Sequence, residues 1–353
     1  MKTNDFLKGR GAQYNPASKY LKQEYVTEHI EGLDEPILSN TKTEFLAEHP
    51  KTIINQINSP DLGLGYSLNP YQGCEHGCIY CYARNSHQYW GYSAGLDFER
   101  KIIVKENAPE VLVQQLESKN WQVMPMMLAG NTDCYQPIEA KKKLTRRILE
   151  ILLKYRHPVS IITKNALILR DLDLLCELDK YDLVHVNISI TTLNEQLRQK
   201  LEPRTASASK RLDVVKQLSD AGIPVNVMVA PIIPGLNDYE IPEIIKQSAA
   251  AGACSAAYTI VRLNGAIGPI FEDWIRQAFP DKADKVLNQI ADCHGGHLND
   301  SRFGTRMRGE GNFAEAIANL FRISKQKYMA DRYKKPYNYS HFCTPKGKQL
   351  GLF

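Results

Sequence analysis

The sequence predicts an α/β protein whose core is a barrel of alternating strands and helices, either complete or partial. Hydrophobic residues make up 43% and charged residues 24% of the 353-residue chain, a balance typical of globular proteins. From Tyr66 onward, short β-branched runs alternate with helical stretches about six times. Runs such as 225–229 are apolar along most of their length, as parallel strands are when helices cover one face and a barrel closes the other.

The predicted elements follow in order along the chain. A short strand is expected at 52–56, and longer strands at 122–128, 159–163, 184–190, 225–233 and 256–261. Helices are expected at 140–154, 169–178, 194–199, 209–221, 241–251, 281–290 and 312–325. The chain thus divides into an N-terminal extension at 1–60, a core at 61–270, and a helical and irregular C-terminal tail at 271–353.

Polar residues cluster just after the predicted strands. Ligands of parallel α/β folds bind at the carboxyl ends of the strands, so these residues are the first to consider for chemistry. They lie at 131–133, 164–165, 191–192, 235–238 and 264–265. We therefore expect the functional site at this end of the barrel.

The cysteines indicate a reducing compartment. Eight in 353 residues are too few for a disulfide scaffold, and three fall within eight positions, which is more typical of a metal site. The first residues lack the apolar core of a signal peptide, and no run of about 18 apolar residues could span a bilayer. We therefore expect a cytoplasmic protein that is not secreted and does not span a membrane.

Cys74, Cys78 and Cys81 form a C-x3-C-x2-C triplet. Thiolates are soft ligands for zinc and for iron–sulfur clusters, and one short loop can bring three of them to a single centre. A structural zinc ion normally takes a fourth ligand, and His76 lies awkwardly inside the loop for that role. A [4Fe–4S] cluster on three cysteines leaves one iron open to a small molecule, and this catalytic interpretation is favoured.

This triplet, with Tyr80 before its last cysteine, resembles the signature of the radical S-adenosylmethionine (radical SAM) superfamily. The wider strings 69–74 and 81–84 resemble the branch that contains spore photoproduct lyase, often labelled DNA repair photolyase-like. The resemblance implies a partial (β/α)6 TIM-like barrel that holds a [4Fe–4S] cluster and S-adenosylmethionine. It implies a lyase-like enzyme that cleaves S-adenosylmethionine reductively to a 5′-deoxyadenosyl radical, which abstracts hydrogen from a substrate. A reductant such as flavodoxin or ferredoxin is then an expected partner.

The residues after the strand predicted at 122–128 extend the resemblance. Gly130-Asn131-Thr132-Asp133 resembles the Gly-Gly-Glu turn that receives the methionine amino group, with the second Gly and the Glu replaced. Photoproduct lyase quenches its product radical with a cysteine near this point, so Cys134 is a candidate hydrogen-atom donor. Matching Asp133 to the family places that cysteine nearer Gly130, however, and a small residue facing the pocket is the favoured interpretation of Cys134.

Later strand ends supply the other candidate cofactor-binding residues. Lys164 and Ser189 resemble the polar residues that the branch directs at the methionine carboxylate, a role that suits a lysine. Gly235 resembles part of the adenine-supporting turn, within 231–238. Three further residues fall where the branch shapes the ribose side of the pocket: Glu202, Thr205 and Arg211.

The remaining cysteines are given plainer interpretations. Cys176 and Cys254 lie beside apolar positions and are expected to be buried hydrophobic residues. The segment 293–297, of sequence CHGGH, could bind a second metal together with Cys343. An ordinary loop is favoured there, since the spacing matches no established cluster pattern.

Basic charge is concentrated near the C-terminus. Residues 301–353 hold eleven Lys and Arg against three acidic residues, a formal charge of +8 that leaves −3 for the rest of the chain. Interleaved aromatic residues make this tail compatible with nucleic-acid phosphates and bases. A solvated basic surface whose aromatic residues pack inward is favoured. The substrate thus stays open between nucleic acid, peptide and metabolite, and the second hypothesis is a non-catalytic iron–sulfur or zinc protein that binds nucleic acid.

Overall fold

The structure, a computed structural model, describes residues 7–20, 42–61 and 63–344, so the other parts of the predicted extension and tail lie outside it. The strands are β1 (Glu44–Glu48), β2 (Ile54–Gln56), β3 (Tyr66–Leu68), β4 (Tyr71–Gln72), β5 (Lys101–Lys105), β6 (Met126–Leu128), β7 (Val159–Thr163), β8 (Val184–Ser189), β9 (Val225–Ile232) and β10 (Ser255–Ile260). The helices are α1 (Leu96–Arg100), α2 (Ala108–Leu116), α3 (Glu139–Lys142), α4 (Leu144–Lys154), α5 (Leu172–Asp179), α6 (Glu195–Leu201), α7 (Ala208–Asp220), α8 (Ile241–Ala250), α9 (Ile267–Ala278), α10 (Ala283–Asp292) and α11 (Asn312–Met329). None of these helices is long and apolar enough to cross a bilayer.

A seven-stranded sheet forms the centre of the molecule, in the order β10-β9-β8-β7-β6-β3-β2. The strands from β3 to β10 in this sheet are parallel, and β2 pairs antiparallel with β3 at one edge. Within the described residues β10 pairs only with β9, so the sheet stays open between β10 and β2. The predicted α/β class and partial six-stranded barrel are confirmed.

The two faces of the parallel strands have different environments. Outward residues such as Val159, Ile161 and Val186 are fully buried in a core shared with the surrounding helices. Inward polar residues bond across neighbouring strands: the Asn187 side chain donates to Ser160 Oγ at 3.0 Å, and Asn226 donates to Asn187 Oδ1 at 3.0 Å. Because these buried amides are partnered, they hold the strands in register without an unsatisfied polar group.

Most predicted core elements are found near their expected bounds. β7 matches its prediction, and β8 and β9 start at the predicted residues. The helix expected at 140–154 is divided, because Lys143 has a left-handed φ of 53° between α3 and α4. The strand expected at 122–128 shortens to β6 after Pro125, which has no N–H to give to a ladder. A second sheet, in the order β1-β5-β4, was not predicted.

The C-terminal segment closes the barrel at the amino ends of its strands. The Tyr337 ring lies 3.8 Å from the ring of His185 in β8, and its hydroxyl donates to Val159 O at 3.3 Å. The His185 Nε2 and the Lys335 carbonyl oxygen are 2.7 Å apart. This end of the barrel is opposite the end where the polar strand-end residues lie.

The aromatic residues of the tail divide between the interior and the surface. Tyr337 lies in the barrel floor, and Phe342 packs edge-on against His157 with ring centres 5.7 Å apart. Tyr333 and Tyr339 are 74% and 48% exposed. Inward packing therefore holds for part of this set, and contact with nucleic acid, the other interpretation, stays a hypothesis.

The open side of the barrel is bridged by side chains. After β10, the Ile260 amide donates to Met307 O at 3.0 Å, which extends this edge of the sheet. From the same segment, Arg306 Nε contacts the Asp61 carboxylate at 2.5 Å, and its Nη2 donates to Ser59 Oγ at 2.7 Å. Because Ser59 and Asp61 lie between β2 and β3, these bonds connect the two edges of the open sheet.

Candidate functional site

The three triplet cysteines lie together between β4 and a 3-10 helix at Tyr82–Trp90. Cys74 and Cys78 are buried, Cys81 is half-buried, and none forms a disulfide. Burial raises the pKa of each thiol, and Asp133 and the two neighbouring sulfurs add to the rise at Cys74. These thiols therefore stay protonated at neutral pH until a cation that prefers thiolate displaces the protons.

The donor set suits a polynuclear centre. A four-iron cluster takes each thiolate on a different iron, so it needs three thiols spaced around a larger volume. Three unpaired, mutually close thiols on one loop fit that requirement.

The cysteine loop is held from behind by the segment after β6. The Glu75 amide donates to Gln136 Oε1 at 3.0 Å, and Gln136 Nε2 donates back to Gly73 O at 3.1 Å. The Ile138 amide donates to the Glu75 carboxylate at 2.8 Å. All of these groups are buried, so the loop keeps its shape through the protein's own hydrogen bonds.

The string before the triplet anchors the predicted turn at 130–133. Asn69 Oδ1 accepts from the amides of Asn131 and Thr132, at 2.8 and 3.3 Å. Thr132 Oγ1 donates to Tyr71 O at 2.5 Å, and the Asn131 side chain donates to Gln72 Oε1 at 3.1 Å. The turn is thus brought directly beside the cysteine loop, as the sequence predicts.

Asp133 is bonded to other residues of the protein on both sides. Its carboxylate lies 3.3 Å from His76 Nδ1 and accepts from the Lys164 amide at 2.8 Å and from Thr163 Oγ1 at 2.8 Å. Burial alone would raise the pKa of Asp133, but His76 and the donated hydrogen bonds hold it below its usual value. His76 Nε2 lies 3.3 Å from the Asn165 side chain, so both ring nitrogens of His76 have partners here. Asp133 therefore joins the cysteine loop to the end of β7.

Lys164 and Ser189 lie at the carboxyl ends of β7 and β8. Lys164 follows Ser160 and Ile162 on the inward face of the strand, and its Nζ is 5.9 Å from the centre of the Tyr80 ring. No carboxylate in the described parts of the chain forms an ion pair with Lys164. Ser189 is buried. The structure thus places next to the triplet a cation that has no ion-pair partner among the described residues, although its charge helps to lower the pKa of buried Glu202.

A buried network fixes Tyr80. Its hydroxyl donates to Glu202, which also accepts from Thr191 Oγ1 at 2.6 Å. Glu202 pairs with Arg211 at 2.5 Å, and Arg211 donates to Thr205 Oγ1 at 2.6 Å. Burial alone would raise the pKa of Glu202, but Arg211 and the other donors lower it to about 2. The predicted set Glu202, Thr205 and Arg211 is therefore one unit, and it supports the triplet loop.

The turn after β9 has little room for a side chain at Gly235. This residue has a φ of 79°, and a Cβ there would lie 2.4 Å from Gln289 Oε1. Asn237 joins the ends of two strands, since its Oδ1 accepts from the Ile233 amide at 2.7 Å and its Nδ2 donates to Thr191 O at 2.8 Å. Gly235 is thereby held at the rim of the barrel.

Sequence reasoning missed a buried ion pair behind the triplet. Arg84 Nη2 contacts Glu99 Oε1 at 2.5 Å with both side chains fully buried, and Arg84 Nε donates to Cys78 O at 3.0 Å. Glu99 also accepts from the amides of Gly11 and Ala12, at 3.1 and 2.8 Å. The extension is thus part of the site's support. The string 81–84 contains Arg84. Because burying an unpaired arginine costs free energy, a buried Arg84 requires a carboxylate partner, and this requirement was the available signal for Glu99.

The cysteines outside the triplet lie apart from the candidate site and from one another. Cys134 is fully buried in the main core, within the same cluster as Tyr135 and Ile148. Cys176 and Cys254 are half-buried where buried residues were predicted: Cys176 packs against the main core, and the Cys254 thiol donates to Val225 O at 3.1 Å. The side chain of His294 bonds Val261 O, and exposed Cys343 lies beside Lys154. In the described residues, segment 293–297 and Cys343 do not meet in a metal site.

The chain is similar to several known proteins. A family model described as Radical SAM superfamily matches residues 68–247. An uncharacterised protein of Mycobacterium tuberculosis H37Rv is 33% identical over 65% of this chain and 69% of its own length. An uncharacterised protein of Methanocaldococcus jannaschii is 32% identical over 71% of this chain and 90% of its own. A mutant spore photoproduct lyase with bound AdoMet and dinucleoside spore photoproduct has a TM-score of 0.59 at 16% identity, covering 85% of this chain and 84% of that one, which shows a shared fold.

Proposed function

The chain belongs to the radical SAM superfamily of enzymes, and we propose that Cys74, Cys78 and Cys81 hold a [4Fe–4S] cluster with one iron open to S-adenosylmethionine. The observation that carries the proposal is the set of three unpaired thiols on one buried, fully braced loop. When bound, such a cluster supplies the electron for reductive cleavage of S-adenosylmethionine to a 5′-deoxyadenosyl radical. The protein's residues place the cofactor and shield it from water.

Lys164 is proposed to bind the carboxylate of the methionine moiety. Its ammonium group faces the barrel interior near Tyr80 and lacks an ion-pair partner among the described residues. An ammonium that meets a carboxylate in a partly enclosed site forms a strong charge-assisted hydrogen bond. We propose that Ser189, Tyr80 and Gly235 complete this pocket, Tyr80 through the orientation that Glu202 imposes on it.

The turn at 130–133 is proposed to receive the methionine amino group through its main chain. Both oxygens of Asp133 already accept hydrogen bonds from the protein, and the side chain of Thr132 is committed to Tyr71. Asp133 is therefore a positioning residue that aligns the turn with β7. No catalytic role is assigned to Cys134, because its sulfur is buried in the core.

The proposed reaction uses the deoxyadenosyl radical to abstract hydrogen from a substrate inside the barrel. The lyase-like label and a nucleic-acid substrate rest on the branch resemblance and stay part of the proposal. A flavodoxin or ferredoxin is the proposed electron donor. The cytoplasm is the proposed compartment, because all eight cysteines are free and a thiolate-held cluster suits a reducing environment.

Anaerobic reconstitution tests the proposal. The protein is expected to be brown, to hold about four irons per chain as a single cluster does, and to release 5′-deoxyadenosine when given dithionite and S-adenosylmethionine. Iron, acid-labile sulfide and nucleoside are measured on the same preparation. A colourless, zinc-loaded protein that makes no 5′-deoxyadenosine would favour the non-catalytic alternative.

Substitution of Lys164 by Met is expected to weaken S-adenosylmethionine binding about tenfold or more, the loss typical of one hydrogen bond to a charged group. Equilibrium binding of S-adenosylmethionine to the reconstituted protein measures this. Iron content should not change, because Lys164 contacts no cysteine main chain in its hydrogen bonds. Lys180→Met, on the exposed surface after α5, is the matched control. Equal affinities of the Lys164 and Lys180 variants would contradict the assignment.

A further inference from the structure

Arg262 occupies an unusual position at the carboxyl end of the last strand. It lies two residues beyond Ile260, the end of β10, and is half-buried. Its Nη1 donates to the Asp300 carbonyl oxygen at 3.2 Å. Over residues 7–20, 42–61 and 63–344, no carboxylate forms an ion pair with it. A guanidinium has five N–H donors, so most of its bonding capacity is left for another molecule.

The acidic groups near Arg262 are already neutralised by other arginines. Asp61 and Asp300 both act on its charge, but Arg306 binds Asp61 at 2.5 Å and Arg302 binds Asp300 at 2.8 Å. Burial lowers the pKa of Arg262, and the charge of Arg306 lowers it further. Arg302 also binds Glu310 at 2.5 Å, so the three arginines and three carboxylates of this region balance in charge, but none of these carboxylates is bound to the Arg262 guanidinium itself.

Tyr82 connects this position with the cysteine loop. It directly follows Cys81, and its hydroxyl donates to Gly130 O, in the turn proposed to receive the methionine amino group. Asn85, in the same 3-10 helix as Tyr82, donates to Asn264 O at 2.8 Å and accepts from the Ala266 amide at 3.0 Å, which holds this helix against the segment that follows Arg262. Tyr82 is nevertheless 53% exposed. The exposed part of its ring is therefore open to another molecule at this rim.

The barrel interior lies next to this rim. Residues paired across parallel strands face the same side of the sheet, which identifies the inward-facing side chains. Several of them are only partly buried although strands surround them: Ser67, Met127, Ile162, Met228 and Ala257. An accessible space lined by small and flexible residues therefore lies below the rim on which Arg262 sits.

The arginines around the triplet are arranged differently. Arg84 pairs with Glu99 and Arg211 with Glu202, each at 2.5 Å and buried. A cation withdrawn from water without an opposite charge carries a desolvation cost that an ion pair would reduce. Arg262 bears this cost at the open mouth of the cavity, where a ligand can supply the missing charge.

We propose that Arg262 binds an oxyanion of the substrate, a phosphate or a carboxylate, at the rim of the barrel beside Tyr82. The inference rests on the proposed function, because the interior is a substrate cavity only in that enzyme. The planar guanidinium matches two oxygens of either group in a bidentate contact. With its anion held at the rim, the rest of the substrate extends into the interior towards the cofactor.

Equilibrium dialysis of the reconstituted holoprotein tests this site with radiolabelled inorganic phosphate and, separately, radiolabelled malonate. Each probe is used at about 10 mM, well above a millimolar Kd. The protein is expected to bind at least one probe, and Arg262→Gln to weaken that binding about tenfold or more. Arg262→Lys should retain part of the affinity. Arg322→Gln, at an exposed position of α11, is the matched control and should bind as the parent does.

The two probes separate the substrate classes. Binding of phosphate alone supports a phosphorylated substrate, binding of malonate alone supports a carboxylate, and binding of both supports a general oxyanion site. Absence of binding, or binding that persists in Arg262→Gln, overturns the proposal. Iron content, measured on every variant, reports whether the fold is intact. Because iron and 5′-deoxyadenosine test the proposed function while dialysis tests Arg262, either can fail without the other.

Discussion

Replacement of Cys78 by alanine is expected to abolish both cluster iron and 5′-deoxyadenosine formation. The variant leaves two thiolates for a cluster that needs three protein ligands to keep only one iron open. The loop should otherwise keep its course, because Arg84 holds Cys78 through its carbonyl oxygen and not its sulfur. Iron, acid-labile sulfide and nucleoside release are measured after anaerobic reconstitution.

Cys176→Ala is the matched control for this loss. Cys176 lies in α5, half-buried and outside the triplet, so the variant should reconstitute with the iron content and nucleoside yield of the parent. Cys74→Ala and Cys81→Ala should behave as Cys78→Ala does. A Cys78 variant that retains cluster iron and still makes 5′-deoxyadenosine would show that the centre lies elsewhere.

Glu99→Gln is expected to lower the free energy of unfolding by about 3–5 kcal/mol, the cost of leaving one member of a buried ion pair without its partner. Arg84 and Glu99 are both fully buried, and the carboxylate also binds the amides of Gly11 and Ala12. The extension should therefore detach more readily in the variant. Urea unfolding measures the stability, and limited proteolysis near residues 7–16 measures the detachment.

Two further variants identify the cause. Glu110→Gln removes the exposed partner of Arg147 and should change stability by less than about 1 kcal/mol, as exposed ion pairs do. The double variant Arg84→Met, Glu99→Leu removes both buried charges and should recover much of the stability lost in Glu99→Gln. A Glu99→Gln protein as stable as the Glu110 variant would mean that this pair does not support the loop.

The parts of the fold that the sequence predicted are those with a regular local pattern. β7, β8 and β9 are short segments rich in Val and Ile, and their composition and length are visible without any partner. In the second sheet only β5, which reads Lys-Ile-Ile-Val-Lys, has such a composition, and the sequence analysis missed it. β1 reads Glu-Phe-Leu-Ala-Glu and gains its structure by pairing with β5, more than fifty residues later. Pairing over that separation leaves no trace in either segment alone.

The site was predictable in composition but not in the direction of its bonds. The cysteine spacing is a local motif, and parallel-strand geometry predicts that Lys164 and Asp133 approach it. Sequence does not reveal that Asp133 points at His76 and β7, nor that Gly11 abuts the loop so closely that a Cβ would lie 1.9 Å from Gly77 O. These depend on side-chain direction and on a distant segment.

The floor formed by Tyr337 and His185 determines by which end of the barrel a substrate can enter. Because the C-terminal segment closes the barrel at the amino ends of its strands, substrate and product must enter and leave at the carboxyl ends. Removal of the segment from Lys335 onward would open the amino ends of the strands and let solvent reach the barrel interior from that end. The segment at 335–342 thus limits the access of solvent to the interior, although it lies at the far end of the barrel from the cysteines.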